Sequence, residues 1–522
     1  MTTYSRPGVF VSEVALPQAI TALENGTAVG AFLGYLPKGP LTPTLVTSWS
    51  QFVKTFSSYD ANYPTTFAAY SFFANGGREL IVNRVQGTGA ETASVTLTDR
   101  AQSALDTIVV EAVNPGEWAN ALSVAVLDGA ANRFNLAVYG APLTSVAAAN
   151  SNLLEQYNDL SMDQNDPRYV ESVINTLSAY IRVTDLKSAT DAPANRPSAS
   201  GLKALSGGAD GAAPARTNYS DALTNFDPIQ SPIVFNLPDV ASIYDATSQD
   251  AATQMTSVKN IYKDLMTYCE TRGDAFAVLD TPKGMTGAEA VTFAAAVTQN
   301  AAASATGSNA AMYYPWMATP DPLRSVPGAT RLVAPGAAVV GQYLSTDASR
   351  GVFKAPAGLG NRIAVAVAPE RALSNAELDA LNSASTPVNA IRTVPGAGIV
   401  IMGARTMSHT PSDRYVNVRR SMIYLKKELS DLTAFAVFEN NDSRLWTQIR
   451  AALNSFLGSY WNQGGLRGTN PAQAFYVKCD NTNNTAQDIL NGRVNIEVGV
   501  AIEYPAEFVV INIGQITGSA SL

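Results

Sequence analysis

Histidine occurs once in this chain, at His409, and cysteine twice, at Cys269 and Cys479. A histidine-rich metal site is thereby excluded. Two thiols make neither a disulfide framework nor a four-thiolate zinc site. Both are expected to be buried free thiols in a reducing compartment. A Ser-His-Asp triad would have to use His409, which sits in a TMSHTPSD loop with few constraints around it. Charged residues make up only 15% of the chain, a share that suits a protein burying much of its surface, in an assembly as well as a core. The formal net charge is −8, so no sequence-wide electrostatic footprint for nucleic acid exists, and no direct nucleic-acid contact is expected. No window of about 18 uninterrupted apolar residues occurs, so no membrane insertion is expected. MTTYSRPGVF lacks a basic stretch followed by an apolar one, which leads us to expect synthesis in a cytoplasm without a secretory leader. No phosphate-cradling GxxxxGK[ST] is present, and no GxGxxG lies between a strand and a helix. SGGADG (206–211), PGAGIV (395–400) and GGLRG (464–468) therefore read as turns. No cofactor and no metal is expected.

What is present is 522 residues, 46% of them apolar, too long a chain for one compact core. At the start, Val9-Phe10-Val11 is β-prone but is bracketed by Pro7-Gly8 and Leu16-Pro17. A lone strand cannot satisfy its own backbone groups, so this arm either frays or adds to a sheet elsewhere. Residues 28–36 (AVGAFLGYL) read as a buried strand, Ser50 to Phe56 and Thr66 to Asn75 as helices, and Glu79 to Val85 as a strand. From about 91 to 210 the texture turns to Ala, Ser, Thr, Asn and Asp, with short strands such as Thr107 to Ala112 and Leu122 to Leu127. That pattern suggests an inserted, mainly-β, outward-facing unit. Residues 231–320 then alternate strand and helix, an order that predicts a parallel sheet with right-handed crossovers. Within them, Val258, Ile261, Tyr262, Leu265 and Cys269 keep helical spacing.

The strongest patterns lie in residues 388–522. Tyr415, Val418, Met422, Leu425 and Leu429 predict one amphipathic helix. Leu445, Ile449, Leu453, Phe456, Leu457 and Tyr460 predict a second, with Asp442 as N-cap and Gly464 as the stop. The basic residues Arg414, Arg419, Arg420, Lys426 and Lys427 fall on the polar side of the first helix, as a solvated face or a charged contact with an acidic partner. Val494, Ile496, Val498, Val500 and Ile502 alternate with Arg493, Asn495 and Glu497, which predicts a half-buried strand, with Glu503 on its polar side. After Tyr504-Pro505, the segment Phe508, Val509, Val510, Ile511 to Ile513 is apolar on both faces and needs a cover, from this chain or from a neighbour. Glu497 and Glu503 share a polar face where a hydrolase pair would fit, but a charged exposed edge is the simpler reading. MYYPWMATPDP (312–322) reads as a packed sheet edge with a proline exit rather than a ligand groove.

Several segments, taken in order, resemble the contractile tail sheath proteins of bacteriophages and of phage-tail-like injection particles. RPGVFVSEV (6–14) is similar to the family's N-terminal arm. NPGEWAN (114–120) resembles its NPGxWGN turn, with Ala119 in place of the usual glycine, and LSGGADG (205–211) resembles its LxGGxDG segment. The densest likeness runs through IRTVPGAGIVIMGARTMS (391–408), RYVNVRRSMIYLKKEL (414–429), FENNDSRLWTQIR (438–450) and GGLRGTNPAQAFYVKCD (464–480) to the C-terminal strands; it is weakest over 121–204.

The resemblance implies a non-enzymatic, multidomain protein of α/β and α+β class. Residues 1–28 would be an extended arm, 29–90 with 211–387 a parallel-sheet α/β core, 91–210 an insert and 388–522 a C-terminal α+β domain whose terminal strands form sheet between subunits. It implies a homo-oligomer of stacked six-fold rings around an inner tail tube protein, meeting baseplate and tail terminator proteins, in the tail sheath of a virion made in a bacterial host. In that picture Arg6, Pro7, Gly8, Val9, Phe10, Val11 and Val14 form the inter-subunit arm. The C-terminal strands form the joint, and the basic helix face is the candidate contact with the tube.

Overall fold

The computed structural model describes residues 28–130, 132–140, 152–299 and 307–507. The arm residues Arg6 to Val14 and the apolar segment Phe508 to Ile513 lie outside them. The chain begins its first sheet at β1 (Val29–Tyr35), crosses through β2 (Thr44–Val46), α1 (Trp49–Thr55) and α2 (Pro64–Ala74), and returns on β3 (Leu80–Val85). After a long excursion, β4 (Ser94–Thr98) to β10 (Ser200–Ala204) with α3 (Val170–Leu177) in between, it re-enters at α4 (Arg216–Thr224) and β11 (Ile233–Asn236). Then follow α5 (Ala251–Arg272), β12 (Ala275–Asp280), α6 (Gly287–Thr298) and β13 (Ala310–Tyr314), the alternation predicted for 231–320.

These strands build an eight-stranded sheet in the order β18-β17-β13-β12-β11-β1-β3-β2, where β17 is Asn389–Val394 and β18 is Gly398–Ile401. Every pair from β3 to β17 is parallel, and only the edge strands β2 and β18 run antiparallel. Successive side chains alternate between faces. Ala31 and Leu33 enter a core with α4, α5 and α6, including Val258, Ile261, Tyr262, Leu265 and Cys269. Phe32 faces a second core that holds Phe52, Phe72 and Tyr343. A sheet buried on both faces explains why its strands read as continuous apolar runs.

Two expectations change here. MYYPW is not at an edge, because β17 pairs along the far side of β13 and makes it an interior strand. The expected boundary at 388 also falls inside this sheet, since Ile391, Ile399 and Ile401 complete its second core.

The excursion from β4 to β10 forms two antiparallel sheets, β4-β5-β9 and β10-β6-β7-β8, around a core of its own. Here β5 is Asp106–Ala112, β6 Leu122–Asp128, β7 Phe134–Gly140, β8 Leu153–Leu160 and β9 Ile181–Asp185. NPGEWAN and LSGGADG sit where the excursion leaves and rejoins the large sheet. Arg84, 1% exposed, donates to the carbonyls of Leu36, Pro37 and Pro115 at 2.7, 2.9 and 2.8 Å. Asp210 accepts from the Tyr63 hydroxyl at 2.7 Å and from the Glu117 N–H at 2.8 Å. Gly116 has φ of +134°, and a Cβ there would stand 2.7 Å from the Pro37 carbonyl. The glycine in this motif is therefore a requirement of close backbone approach.

Beyond β14 (Met317–Pro320), β15 (Thr330–Val333), α7 (Gly336–Arg350), β16 (Ala368–Pro369) and α8 (Asn375–Ser383), the C-terminal part is built on two long helices, α9 (Val416–Thr433) and α10 (Ser443–Asn462). Asp442 caps α10, accepting from the N–H groups of Arg444 and Leu445, and Gly464 follows its end at φ of +88°. Both features were expected. α11 (Pro471–Ala474), β19 (Phe475–Lys478), α12 (Ala486–Leu490) and β20 (Glu497–Val500) finish the described chain.

Candidate assembly interface

The predicted strand over 493–502 is regular only across Glu497–Val500. Side-chain amides take the ladder's place before it. Asn484 Oδ1 accepts from the Asn495 N–H at 2.6 Å, and Asn483 and Asn484 both donate to the Asn495 carbonyl at 3.1 Å. Asparagine and aspartate compete with regular structure in this way. β20 then pairs antiparallel with β19, with Val498 opposite Val477 and Gly499 opposite Tyr476. Past the strand, Ile502 bridges to Leu466.

The alternating residues do share one face, and this chain's own helices cover it. Val494, Ile496 and Val498 pack with Leu445, Ile449 and Leu453 of α10. Val498, Val500 and Ile502 pack with Val418, Leu425 and Leu457. On the outer face Tyr476 is half exposed, and its hydroxyl donates to Glu497 at 2.7 Å. A Cβ on Gly499 would lie 2.1 Å from the Tyr476 ring, so that glycine gives the tyrosine its seat. Among the described residues β19 and β20 have only each other as strand neighbours. A two-stranded ribbon with open edges is a template for strand addition. Exposed large apolar side chains add to the picture: Phe435, Val437 and Phe438 between α9 and α10, and Leu490 on α12.

The basic run does not form one face. Arg420 is 4% exposed and forms a bidentate ion pair with Asp347 of α7, with Nη1 to Oδ1 at 3.0 Å. Its guanidinium also stands 4.9 Å from the Tyr343 ring centroid. Burial raises the Asp347 carboxyl above the ordinary range, and Arg420 pulls it back. Arg419 donates to Asn309, and Lys427 pairs with Asp431 one turn along the helix at 2.6 Å. Only Arg414 and Lys426 stand exposed. Arg420 is thus removed from the candidate tube-facing set: it docks α9 onto α7. His409 is exposed in its loop, and Cys269 and Cys479 are buried free thiols. Glu507, beyond the strand and its Tyr504-Pro505 break, is ion-paired with Arg405.

Sequence reasoning missed two buried acids at the C-terminal ends of parallel strands, where doubly wound sheets hold their ligands. Asp239 accepts from Tyr219 and Thr65, and burial pushes its carboxyl up to about 6. Asp280 accepts from Asn236 Nδ2 at 2.9 Å and from the Gly336 N–H at 2.6 Å, and burial pushes it up to about 7. The Gly336 N–H opens α7, so both oxygens of Asp280 are occupied structurally.

The raised acid makes stability depend on pH. An unfolded Asp titrates near pH 3.9. The contribution of Asp280 is therefore full below about pH 4 and is lost as pH rises through about 7. Asp280→Asn stays neutral throughout; an amide flip of Asn236 to accept its new N–H gives up the Asn236 bond to the Val278 carbonyl, a cost that does not vary with pH. Relative to the unaltered protein, the variant should gain about 3 kcal/mol between about pH 4.5 and pH 7.5 in urea unfolding. Parallel pH profiles for the two proteins would contradict this.

Residues 408–516 match the family model of the phage tail sheath C-terminal domain. A curated relative, the tail sheath protein of Vibrio phage KVP40, is 28% identical over 183 residues, which are 33% of this chain and 25% of that protein. The chain thus spans about a quarter of the length of the curated relative it matches. The contracted helical sheath of the anti-feeding prophage is similar at 19% identity and a TM-score of 0.56, covering 98% of this chain and 100% of that one. The contracted PVC sheath of an extracellular contractile injection system is similar at 19% identity and a TM-score of 0.54, covering 99% of each chain. The sheath tail protein of Listeria innocua is similar at 12% identity and a TM-score of 0.57, over 91% of this chain and 95% of that one. At these identities the structures establish the fold, and the likeness read from RYVNVRRSMIYLKKEL, FENNDSRLWTQIR and GGLRGTNPAQAFYVKCD falls within the matched domain.

Proposed function

We propose that this chain, with its phage tail sheath C-terminal domain over residues 408–516, is the structural subunit of a contractile sheath. In that role it polymerises with itself in six-fold helical rings around an inner tail tube. The sheath meets a baseplate at one end and a terminator at the other, and its shortening drives the tube through a target envelope. The observation that carries this reading is the open β19-β20 ribbon inside the matched domain, beside a chain end that continues into FVVINI.

In this reading residues 1–28 are an arm, 29–90 with 211–401 a core that includes β17 and β18, 91–210 an outward insert and the chain from 408 onward the sheath domain. Residues Val9 to Val14 of one subunit and Phe508 to Ile513 of another supply strands to the ribbon of a third. Backbone hydrogen bonds give such a joint affinity, and alternate side-chain pockets give it register. The particle is a phage tail or a phage-derived injection device, and the protein resides in the sheath of either. No catalytic role is assigned. The buried acids Asp239 and Asp280 are held by structural partners, and the exposed carboxylate of Glu497 is bonded to Tyr476. Negative-stain microscopy of the purified full chain at high concentration should reveal hollow, striated cylinders. A protein that stays monomeric or forms only amorphous aggregate under all assembly conditions would overturn the reading.

A further inference from the structure

The chain from Ile502 to Glu507 carries whatever pulls on the segment beyond it. Its last ladder-type bonds are the Ala501 N–H to the Ala474 carbonyl at 2.8 Å and the Leu466–Ile502 bridge. Asn417 then donates to the Glu503 carbonyl at 3.3 Å. Residues 503–507 have no regular structure, and Pro505 has no N–H to give. Hydrogen bonds at the end of a ladder break one at a time when the free end is pulled away, so such a root peels unless something pins it.

Something does. Arg405 grips the Glu507 carboxylate with Nε to Oε1 at 2.8 Å and Nη2 to Oε2 at 2.5 Å. The Tyr415 hydroxyl approaches Oε2 at 3.3 Å, and the Tyr415 and Tyr504 rings meet edge to face at 6.0 Å. Arg405 is itself fixed at three points. Its Nη1 donates to the Asn382 carbonyl in the last turn of α8 at 2.7 Å. Asn389 of β17 holds its backbone from both sides, accepting from the Arg405 N–H and donating to its carbonyl, each at 2.8 Å. Asn389 is 3% exposed and also donates to the Met312 carbonyl of β13 at 3.2 Å. The bidentate fork is the strong, directional form of an ion pair. Arg405 and Glu507 lie 102 residues apart in sequence, so the contact ties the chain end to the eight-stranded sheet rather than to its own neighbourhood.

We propose that the Arg405–Glu507 clamp anchors the root of the C-terminal segment and passes tension on that segment into the large parallel sheet, so that a subunit holding the segment cannot peel its owner apart. The inference rests on the sheath reading for the source of the tension, but not for the clamp itself. Arg405 and Glu507 are positioning residues: they fix where the segment beyond Glu507 departs.

The test uses the full chain with Ala506→Cys carrying a nitroxide label. Ala506 is exposed, and the native thiols Cys269 and Cys479 are buried. In the otherwise unaltered protein the label should report an ordered site. Arg405→Gln and Glu507→Gln should each mobilise it, and Arg405→Glu combined with Glu507→Arg should restore order, as a charge pair would and a packing contact would not. Tubes of Arg405→Gln should shed subunits about tenfold faster under dilution than unaltered tubes, the equivalent of about 1.4 kcal/mol per joint. Unchanged label mobility in the single variants overturns the anchor. Mobile labels on tubes of ordinary durability overturn the transmission of tension. If the unaltered chain forms no tubes, the sheath reading falls and the label still decides whether Arg405 holds the root.

Discussion

Arg420→Ala should destabilise the protein by about 3–5 kcal/mol, the range for removing one partner of a buried ion pair. The Asp347 side chain is 1% exposed, and its two oxygens are committed to the Arg420 fork. Truncation leaves that carboxylate among apolar side chains of the second core, beside Tyr343, with no cation within reach. It can recover part of the loss by taking a proton. Burial already raises its carboxyl and Arg420 opposes that rise, so the variant should lose less at low pH than at neutral pH. The double replacement Arg420→Met with Asp347→Leu removes both charges together and should lie close to the unaltered protein. Urea unfolding of the three proteins at about pH 5 and pH 7.5 measures each of these differences. A loss below about 1 kcal/mol for Arg420→Ala would mean that water reaches the pair and that α9 is not docked through it.

That pair also marks where sequence reading stops. Spacings of three and four identified α9 correctly from Val418, Met422 and Leu425. They assigned every arginine to the polar side, because periodicity scores a charge as solvent-facing wherever it falls. The partner of Arg420 lies 73 residues away on another helix, and no local pattern signals it. The same limit explains MYYPWMATPDP. β13 read as an edge because its second neighbour, β17, begins only at Asn389, after three intervening strands and two helices.

What was legible is local chemistry. The alternation from β11 to β13, the Asp442 cap and the positive φ at Gly464 each depend on residues within a few positions of one another. The C-terminal strand was half legible. Its inward face followed the alternation, while its start moved to Glu497 because Asn483 and Asn484, folded back from a preceding turn, satisfy Asn495 first. The clamp at Arg405 was beyond reach altogether. Glu507 lies between the two predicted C-terminal strands, and nothing adjacent to either residue indicates a partner 102 positions away.

Deleting residues 1–20 should abolish long tubes and leave the monomer folded. Among the described residues, contact with the core begins at Ala28, and the Val29 N–H donates to the Pro232 carbonyl at 2.9 Å. Every strand of the eight-stranded sheet lies at or beyond Val29, so a cut at residue 20 leaves that sheet whole. The arm supplies Val9-Phe10-Val11 as a strand with no sheet beside it in sequence. The β19-β20 ribbon offers an edge with no described strand against it. Each backbone hydrogen bond across such a joint contributes roughly 0.5–1.5 kcal/mol net, so a short added strand is worth several kcal/mol per subunit contact. Repeated at every contact of a helical lattice, that loss moves assembly far below its threshold while leaving the unfolding transition of the monomer where it was. Circular dichroism melting should be unchanged, sedimentation should report monomer, and electron micrographs should lack striated cylinders. Cylinders of ordinary length from the truncated chain would remove the arm from the joint and leave the ribbon's open edge to be covered by the segment beyond Glu507 alone.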